Sequence, residues 1–400
     1  MRFDLPESPE GQTIVVAYLR AHVGLTVREI ADATIKSEAT INRRLKDAES
    51  RGMIKQYVFT ATEELRKIYG PYLRDCKLEK DIIKKAGESA LQSAIVVPSG
   101  SDAIENRNKV AKVAGGRIME KVRNAVSKDR KPKIGISYGR TLKSVVDSIV
   151  DMRRIEDVLS AEKKRQTDEI GFSNVEVLPL CGDFWFQKGE MRDIYSYSSN
   201  RLATDLAASL GSRPPIEMSM PAYLPARMAK EPELSVIKDF LSFSPAMKYL
   251  YEGEQPLIRR LDGLITSCGY FPKDILQDKE GSPSDSLSTT TLIFLSELVP
   301  ESTYAQMENA GVIGDVLGIF ISEERSKIVD RINSLFLGPK QKDFRAIAES
   351  ARKDPIHIGV IIVAAGEEKS EILLEIVRLR FANEIIVDSA LSDALMKRLS

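Results

Sequence analysis

Two stretches of the chain place polar chemistry directly behind an apolar run. In Lys133–Thr141, KIGISYGRT, a β-rich run gives way to Gly139, Arg140 and Thr141 before a helical stretch opens at Leu142. A glycine has no side chain to keep a ligand off the backbone. Free amides at a helix start attract an anion, Arg140 adds a charge and Thr141 a hydroxyl. In IGVIIVAAGEEK the apolar run ends at Ala365, and Gly366, Glu367 and Glu368 lead to Lys369, an ammonium able to reach a phosphate held at that end. Both junctions belong at C-terminal strand ends, where open α/β folds take their ligands. The chemistry implied is anion binding. Either junction alone reads equally as an ordinary strand-to-helix turn.

Catalytic groups are sparse. The chain has two histidines, His22 and His357, neither with a catalytic partner in sequence. Its three cysteines, Cys76, Cys181 and Cys268, show no CxxC or CxxH spacing, so no disulfide framework, metal site or cofactor is expected. Asp315, between glycines in GVIGDVLG, reads either as an acceptor for a sugar hydroxyl or as a helix cap. Asn200 reads as an N-cap, Asp388 as structural, and Trp185, Tyr195 and Tyr197 as packing residues. A general base for isomerising a sugar phosphate could come only from Asp315 or Glu367.

A second kind of chemistry lies near the N-terminus. Thr26 begins a short helix over Val27–Ala33, with Glu29 three residues after the cap, and Ser37 caps a third helix over Glu38–Arg51. The first helix is expected over Thr13–His22, and Met53–Phe59 as a strand or small wing. The third helix buries Ile41, Leu45 and Ala48 and turns Ala39, Thr40, Asn42, Arg43, Lys46 and Asp47 outward. Small and hydroxyl residues permit close approach to base edges, and Asn and Arg can contact them bidentately. Residues 36–55 hold six Lys/Arg against three acids, in a chain whose 58 basic and 58 acidic residues cancel. A local basic patch in a neutral chain suits phosphate-backbone contact. The expected DNA-contacting set is Ser37, Ala39, Thr40, Asn42, Arg43, Arg44 and Lys46.

These residues need two frames. The 400 residues, 43% apolar and 29% charged, fit two unequal globular domains. Residues 1–60 form the small helical unit, 61–88 a charged linker or dimerisation helix, and 89–400 a large domain. In the large domain, candidate strands Ala94–Val97, Lys133–Ser137, Val175–Leu180, Gly263–Thr266, His357–Ala365 and Glu384–Val387 alternate with helical stretches. The pattern is that of a Rossmann-like α/β domain with a mostly parallel sheet. Asp151–Glu169 reads as an exposed charged helix or insertion, and Gln277–Ser288 as a mobile loop. The polar start of the chain and the absence of a long apolar run point to a cytoplasmic protein without membrane attachment.

The five blocks TVREIADATIKSEATINRRLKDAESRGMI, KPKIGISYGRTLKSVVDSI, SSNRLATDLAASLG, GVIGDVLGIF and IGVIIVAAGEEKSEILLEIVR occur in the order seen in the SorC-type sugar-responsive regulators allied to DeoR. The chain resembles that family along nearly its whole length. The resemblance implies an N-terminal winged helix-turn-helix domain and an effector domain related to phosphosugar isomerases and deaminases. It also implies double-stranded operator DNA as partner, a phosphorylated sugar as effector, and homodimers or homotetramers. Gly139, Arg140 and Thr141 match the family's phosphate loop, Lys369 its closing-loop lysine, and Asp315 its Gly-Asp motif. One departure is Glu367, where the family commonly has a second glycine; a carboxylate there disfavours an anion unless it points away. A regulator rather than an enzyme is expected. The alternative is an isomerase- or deaminase-like enzyme with an N-terminal assembly module.

Overall fold

A computed structural model describes residues 5–23, 25–51, 53–55, 58–59, 76–87, 89–100, 102–163, 172–183, 192–224, 235–236, 239, 241, 243–254, 256–271, 301–324 and 326–399. Helix α1 spans Pro9–Tyr18, starting four residues before the expected Thr13. The reason is local: Ser8 accepts a hydrogen bond from the Gly11 amide, and Pro9 occupies the first helical position, where no amide is needed. A π-helical turn, Leu19–Val23, follows. Helix α2, Val27–Thr34, opens on the expected capping box, in which the Glu29 amide donates to Thr26 Oγ1 at 3.2 Å and the Thr26 amide to Glu29 Oε2 at 2.7 Å. Ile35, with φ of 54°, turns the chain into α3, Glu38–Ser50, capped by Ser37. The single strand or wing expected next is a two-stranded antiparallel wing, β1 (Ile54–Lys55) and β2 (Val58–Phe59).

Part of the charged stretch expected as a connector, residues 61–75, lies outside the described residues, as do 164–169 and 277–288. Its remainder is helix α4, Cys76–Ala86, which packs on β3 (Ser93–Val97); the buried Glu79 accepts from the Val96 amide at 2.9 Å. Then come α5 (Ala103–Val126), β4 (Lys133–Ile136), α6 (Arg140–Lys163), β5 (Glu176–Pro179), α7 (Ser199–Leu210), α8 (Pro245–Tyr251) and β6 (Gly263–Thr266). After an intervening unit the chain returns through β10 (Gly359–Ala364), α12 (Ser370–Arg378), β11 (Glu384–Asp388) and α13 (Ser389–Arg398). All six expected strands join one sheet, in the order β3-β11-β10-β6-β4-β5, with every pairing parallel. Helices cover both faces, so the strands are almost wholly buried, as a parallel sheet requires.

The intervening unit was not legible in the sequence. Strands β7 (Cys268–Tyr270), β8 (Val312–Val316) and β9 (Ile319–Ser322) make a separate antiparallel sheet, flanked by α9 (Glu301–Asn309) and α10 (Lys327–Leu335), and α11 (Gln341–Lys353) then packs against β10 of the large sheet. No described helix is long and apolar enough to cross a membrane.

The helical N-terminal unit and one face of the large sheet share a continuous apolar cluster that includes Ile14, Ile30, Val110 and Val145. Within this contact Lys109 of α5, 3% exposed, places its ammonium 3.4 Å from Glu29 of α2 and 3.0 Å from Glu105. A lysine is almost never buried unless paired.

Farther along α5, Arg117 and Lys121 meet Glu384 at the start of β11, at 2.8 and 3.1 Å; Glu384 is 1% exposed. Burial pushes its carboxyl up, but Lys121 and Arg117 outweigh that and hold it below the ordinary glutamate value. Removing one partner of a buried ion pair costs about 3–5 kcal/mol, so Glu384→Gln should be that much less stable at neutral pH. A depressed folded pKa contributes stability above the unfolded value, about 4.3, and loses it as pH falls through the folded value. Chemical denaturation of both proteins should therefore show the gap narrowing as pH drops below about 4. A gap that is constant with pH would contradict the ion-pair account.

Candidate functional site

Strand β6 lies between β4 and β10 in the sheet, so the loops leaving β4 and β10 flank the end of β6. A cavity of about 430 Å³ opens there, within the range of small-molecule sites. Gly139, Arg140, Thr141, Asp315 and Lys369 all line it, together with the start of α5. The two junctions singled out in the sequence thus border one space.

At the β4 junction the backbone of Gly139 is set by both its conformation and a hydrogen bond. Gly139 has φ of 120°, a conformation that an L side chain rarely adopts. Its amide is not free, because it donates to the Tyr197 carbonyl at 2.9 Å. Thr141 is 8% exposed and faces the cavity with Ser137, whose Oγ lies 2.8 Å from Thr266 Oγ1 on β6. Ser199 ties this end of the sheet together, donating to the Ile136 carbonyl at 2.7 Å and accepting from the Leu180 amide at 2.8 Å. Asn200 is not the cap of α7, since Ser198 fills that position; its side-chain amide clamps Met218, accepting from the Met218 amide at 2.8 Å.

The loop after β10 is held from beneath. The Gly366 amide donates to Asp388 Oδ1 at 3.0 Å, while Asp388 Oδ2 accepts from Ser99 Oγ at 3.1 Å; Asp388 is fully buried. Lys369 Nζ donates to the Ala365 carbonyl at 2.8 Å, so its ammonium is folded onto the loop it follows. The carboxylate of concern in the sequence, Glu367, is exposed at the lip. Glu368 instead folds back over Gly366, so closely that a Cβ at that position would collide with its carboxylate. Its charge is felt in the cavity. Burial pushes the Cys268 thiol up to about 12, Lys369 pulls the other way, and Asp315 and Glu368 add to the rise. Cys268 is therefore a neutral thiol and not a nucleophile at ordinary pH.

Asp315, 5% exposed, does not cap a helix. Its Oδ2 accepts from the Gly318 amide at 2.9 Å and fixes the tight β8–β9 turn, in which Leu317 and Gly318 have φ of 48° and 75°. Sequence reading missed Arg107. It enters the cavity from α5, and its Nε is buried without a hydrogen-bond partner. Burial first, then the charge of Arg140, lowers its pKa. The available signal was the Asp102 cap just behind β3, which sets the first turns of α5 at the same strand edge as the other loops. Trp185 lies outside the described residues, as does the side chain of His22; Tyr195 is exposed, and His357 precedes β10, with Nδ1 3.4 Å from Asp262.

On the N-terminal unit, Ser37, Ala39, Asn42, Arg43 and Lys46 are exposed along α3, and the half-exposed Thr40 has its Oγ1 3.0 Å from Ser37 Oγ. Arg44 stands apart from this row. It is half-buried and donates to Gln12 Oε1 on α1 at 3.1 Å, bracing the two helices. Asp47 accepts from Thr13 Oγ1 at 2.8 Å and from Arg51 at 3.0 Å. The Thr13 hydrogen bond chiefly, then Arg51, pulls its carboxyl below the ordinary value.

Residues 15–55 match the winged helix-turn-helix DNA-binding family. No curated protein matches the chain. Among solved structures, the full-length sorbitol operon regulator SorC from Klebsiella pneumoniae is similar at a TM-score of 0.53 and 18% identity, over 97% of this chain and 99% of that one. A DeoR family transcriptional regulator from Listeria monocytogenes gives 0.52 and 16% identity, over 80% of this chain and 98% of that one. A domain named for sugar binding, from a transcriptional repressor of Vibrio fischeri, gives 0.51 and 12% identity, over 81% and 98%. The chain therefore has a winged helix-turn-helix segment followed by a parallel-sheet α/β domain, and it shares this fold along nearly its whole length with the sorbitol operon regulator.

Proposed function

We propose that the chain is a SorC-type transcription regulator, in which residues 1–60 bind double-stranded operator DNA and residues 89–400 bind a phosphorylated sugar. Residues 61–88 join the two, and the working form is a homodimer or homotetramer. The observation that carries this proposal is the meeting of Gly139–Thr141 and Lys369 around one cavity. Its wall includes α5, the helix that also holds Glu29 of the N-terminal unit through Lys109. Ligand-induced strain on α5 would reach α2 directly and so bias how α3 is presented. A ligand shifts such an equilibrium only by its differential affinity for the two states. Binding rather than turnover is favoured because Asp315 is committed to a turn and the Cys268 thiol is kept protonated.

Gel shifts on the DNA upstream of the protein's own gene should find an operator. Arg43→Ala should weaken that operator by about tenfold or more if Arg43 reads a base edge, whereas Lys46→Ala should reduce the slope of log affinity against log salt by about one unit. Unchanged binding by both variants would remove α3 as the reading helix.

A panel of hexose and pentose phosphates should contain a member that raises the melting temperature and changes operator affinity, with both effects weakened in Thr141→Ala and Lys369→Ala. If no member does either, the effector assignment fails.

Lys109→Met keeps the buried stem but removes the ion pair with Glu29. It should leave the ligand-induced melting shift intact while blunting the change in operator affinity. A full operator response in this variant would rule out the α5 route.

A further inference from the structure

We infer that Arg107 is an effector-contacting residue, forming with Arg140 a two-guanidinium wall that grips a dianionic phosphoryl group in the cavity. This inference rests on the effector cleft proposed above and adds to it a residue and an orientation for the ligand.

Among the described half-buried arginines of the large domain, Arg107 stands apart. Arg117 is answered by Glu384 and Glu120. Arg352, another arginine beside a like charge, donates to the carbonyls of Ala90 and Ala382. Arg107 forms no hydrogen bond or ion pair among the described residues, and its Nε is sealed from solvent. Its neighbours cannot supply the missing anion. Asp102 is spent on the amides of Ile104 and Glu105 at 2.9 and 2.8 Å, and Glu105 pairs with Lys109 at 3.0 Å. Asn106, the residue beside it, accepts from the Gly100 amide. A half-buried guanidinium that shares a cavity with a second one and feels its charge is unfavourable in a site of reduced dielectric. An anion with two or more oxygens removes that penalty, and guanidinium forks suit phosphate geometry.

The opposite wall fixes the ligand's direction. Glu368 folds over Gly366, and Lys369 is turned onto the Ala365 carbonyl, so the β10 loop offers an anion little until it rearranges. The carboxylates on that side suit the hydroxyls of a sugar body. The phosphate therefore points to Arg107 and Arg140, and the polyol to the β10 loop.

The test uses the full-length protein and variants Arg107→Gln and Arg107→Lys. Probes are inorganic phosphate, a panel of hexose and pentose phosphates, and the same sugars without phosphate, read by calorimetric titration and melting temperature. Phosphate-bearing probes should bind and the free sugars should not. Arg107→Gln should weaken the tightest probe by about tenfold or more, with Arg107→Lys in between. Without ligand, Arg107→Gln should melt no lower than the parent, because it relieves a like-charge contact; an arginine with a merely structural role would leave a less stable protein. A sugar phosphate binding more tightly than inorganic phosphate assigns a phosphosugar, and equal binding assigns the free anion; either supports the wall provided that Arg107→Gln weakens it. If a phosphate-bearing probe binds both variants as tightly as the parent, the inference falls and the effector reading stands. If none binds the parent, both fall. Should Arg107→Gln fail to fold, the inference is overturned, and Arg107→Lys then shows whether the charge alone keeps the fold.

Discussion

The burial of Lys109 and the half-burial of Arg107, Arg117 and Lys121 along one helix form the constraint around which this structure is organised. Helix α5 runs from the cavity, past the N-terminal unit, to the start of β11, and each of Arg107, Lys109, Arg117 and Lys121 must be answered where it lies. Lys109 is answered by Glu29 from another unit, and Arg117 and Lys121 by Glu384 from the far end of the chain. An uncompensated charge in such a place costs several kcal/mol, so these contacts specify where α5 sits as much as its apolar stripe does. Arg107 differs from the other three in having no group among the described residues to answer it, and it is the one that lines the cavity.

The parallel sheet supplies the second condition. Because β4, β6 and β10 are adjacent and parallel, their C-terminal ends lie at one edge, and loops far apart in the chain come together there. Buried hydrogen bonds then set each loop: Asp388 holds the Gly366 amide, Ser199 bridges β4 to the segment after β5, and Asp315 closes the β8–β9 turn. Their side chains are occupied in shaping the cavity. Arg107, Arg140, Thr141 and Glu368 line the space so formed. The apolar cluster that continues from the sheet into the N-terminal helices makes the cavity and α3 parts of one packed body.

Much of this was readable residue by residue. Capping chemistry at Thr26, Glu29 and Ser37 marked α2 and α3, and all six strands of the large sheet were legible as apolar runs followed by turn residues. The junctions at Gly139 and Gly366 were visible because a glycine followed by polar residues, just past a buried strand, is a short-range pattern. The errors share one cause. Gly139 was read as leaving its backbone open to a ligand, but Tyr197, distant in sequence, accepts from its amide. Arg44 was counted among the DNA-contacting residues, but Gln12 on α1 draws it inward. Glu367 was expected to trouble the anion site, yet its neighbour Glu368 stands over Gly366. The sheet of β7, β8 and β9 escaped because β7 pairs across a long separation and each of its strands is short.

Taken alone, then, the order of residues decided the local states: where helices start, which face of each is apolar, which runs are strands, and that two polar loops follow them. These outcomes depend on neighbours a few positions away, through caps, periodicity and backbone freedom. Tertiary structure alone decided which loops share a cavity, which cations of α5 are paired and which one lines that cavity. Those outcomes depend on how far each helix is rotated about its axis and on which strand lies next to which, and both are set by packing between segments remote in the chain.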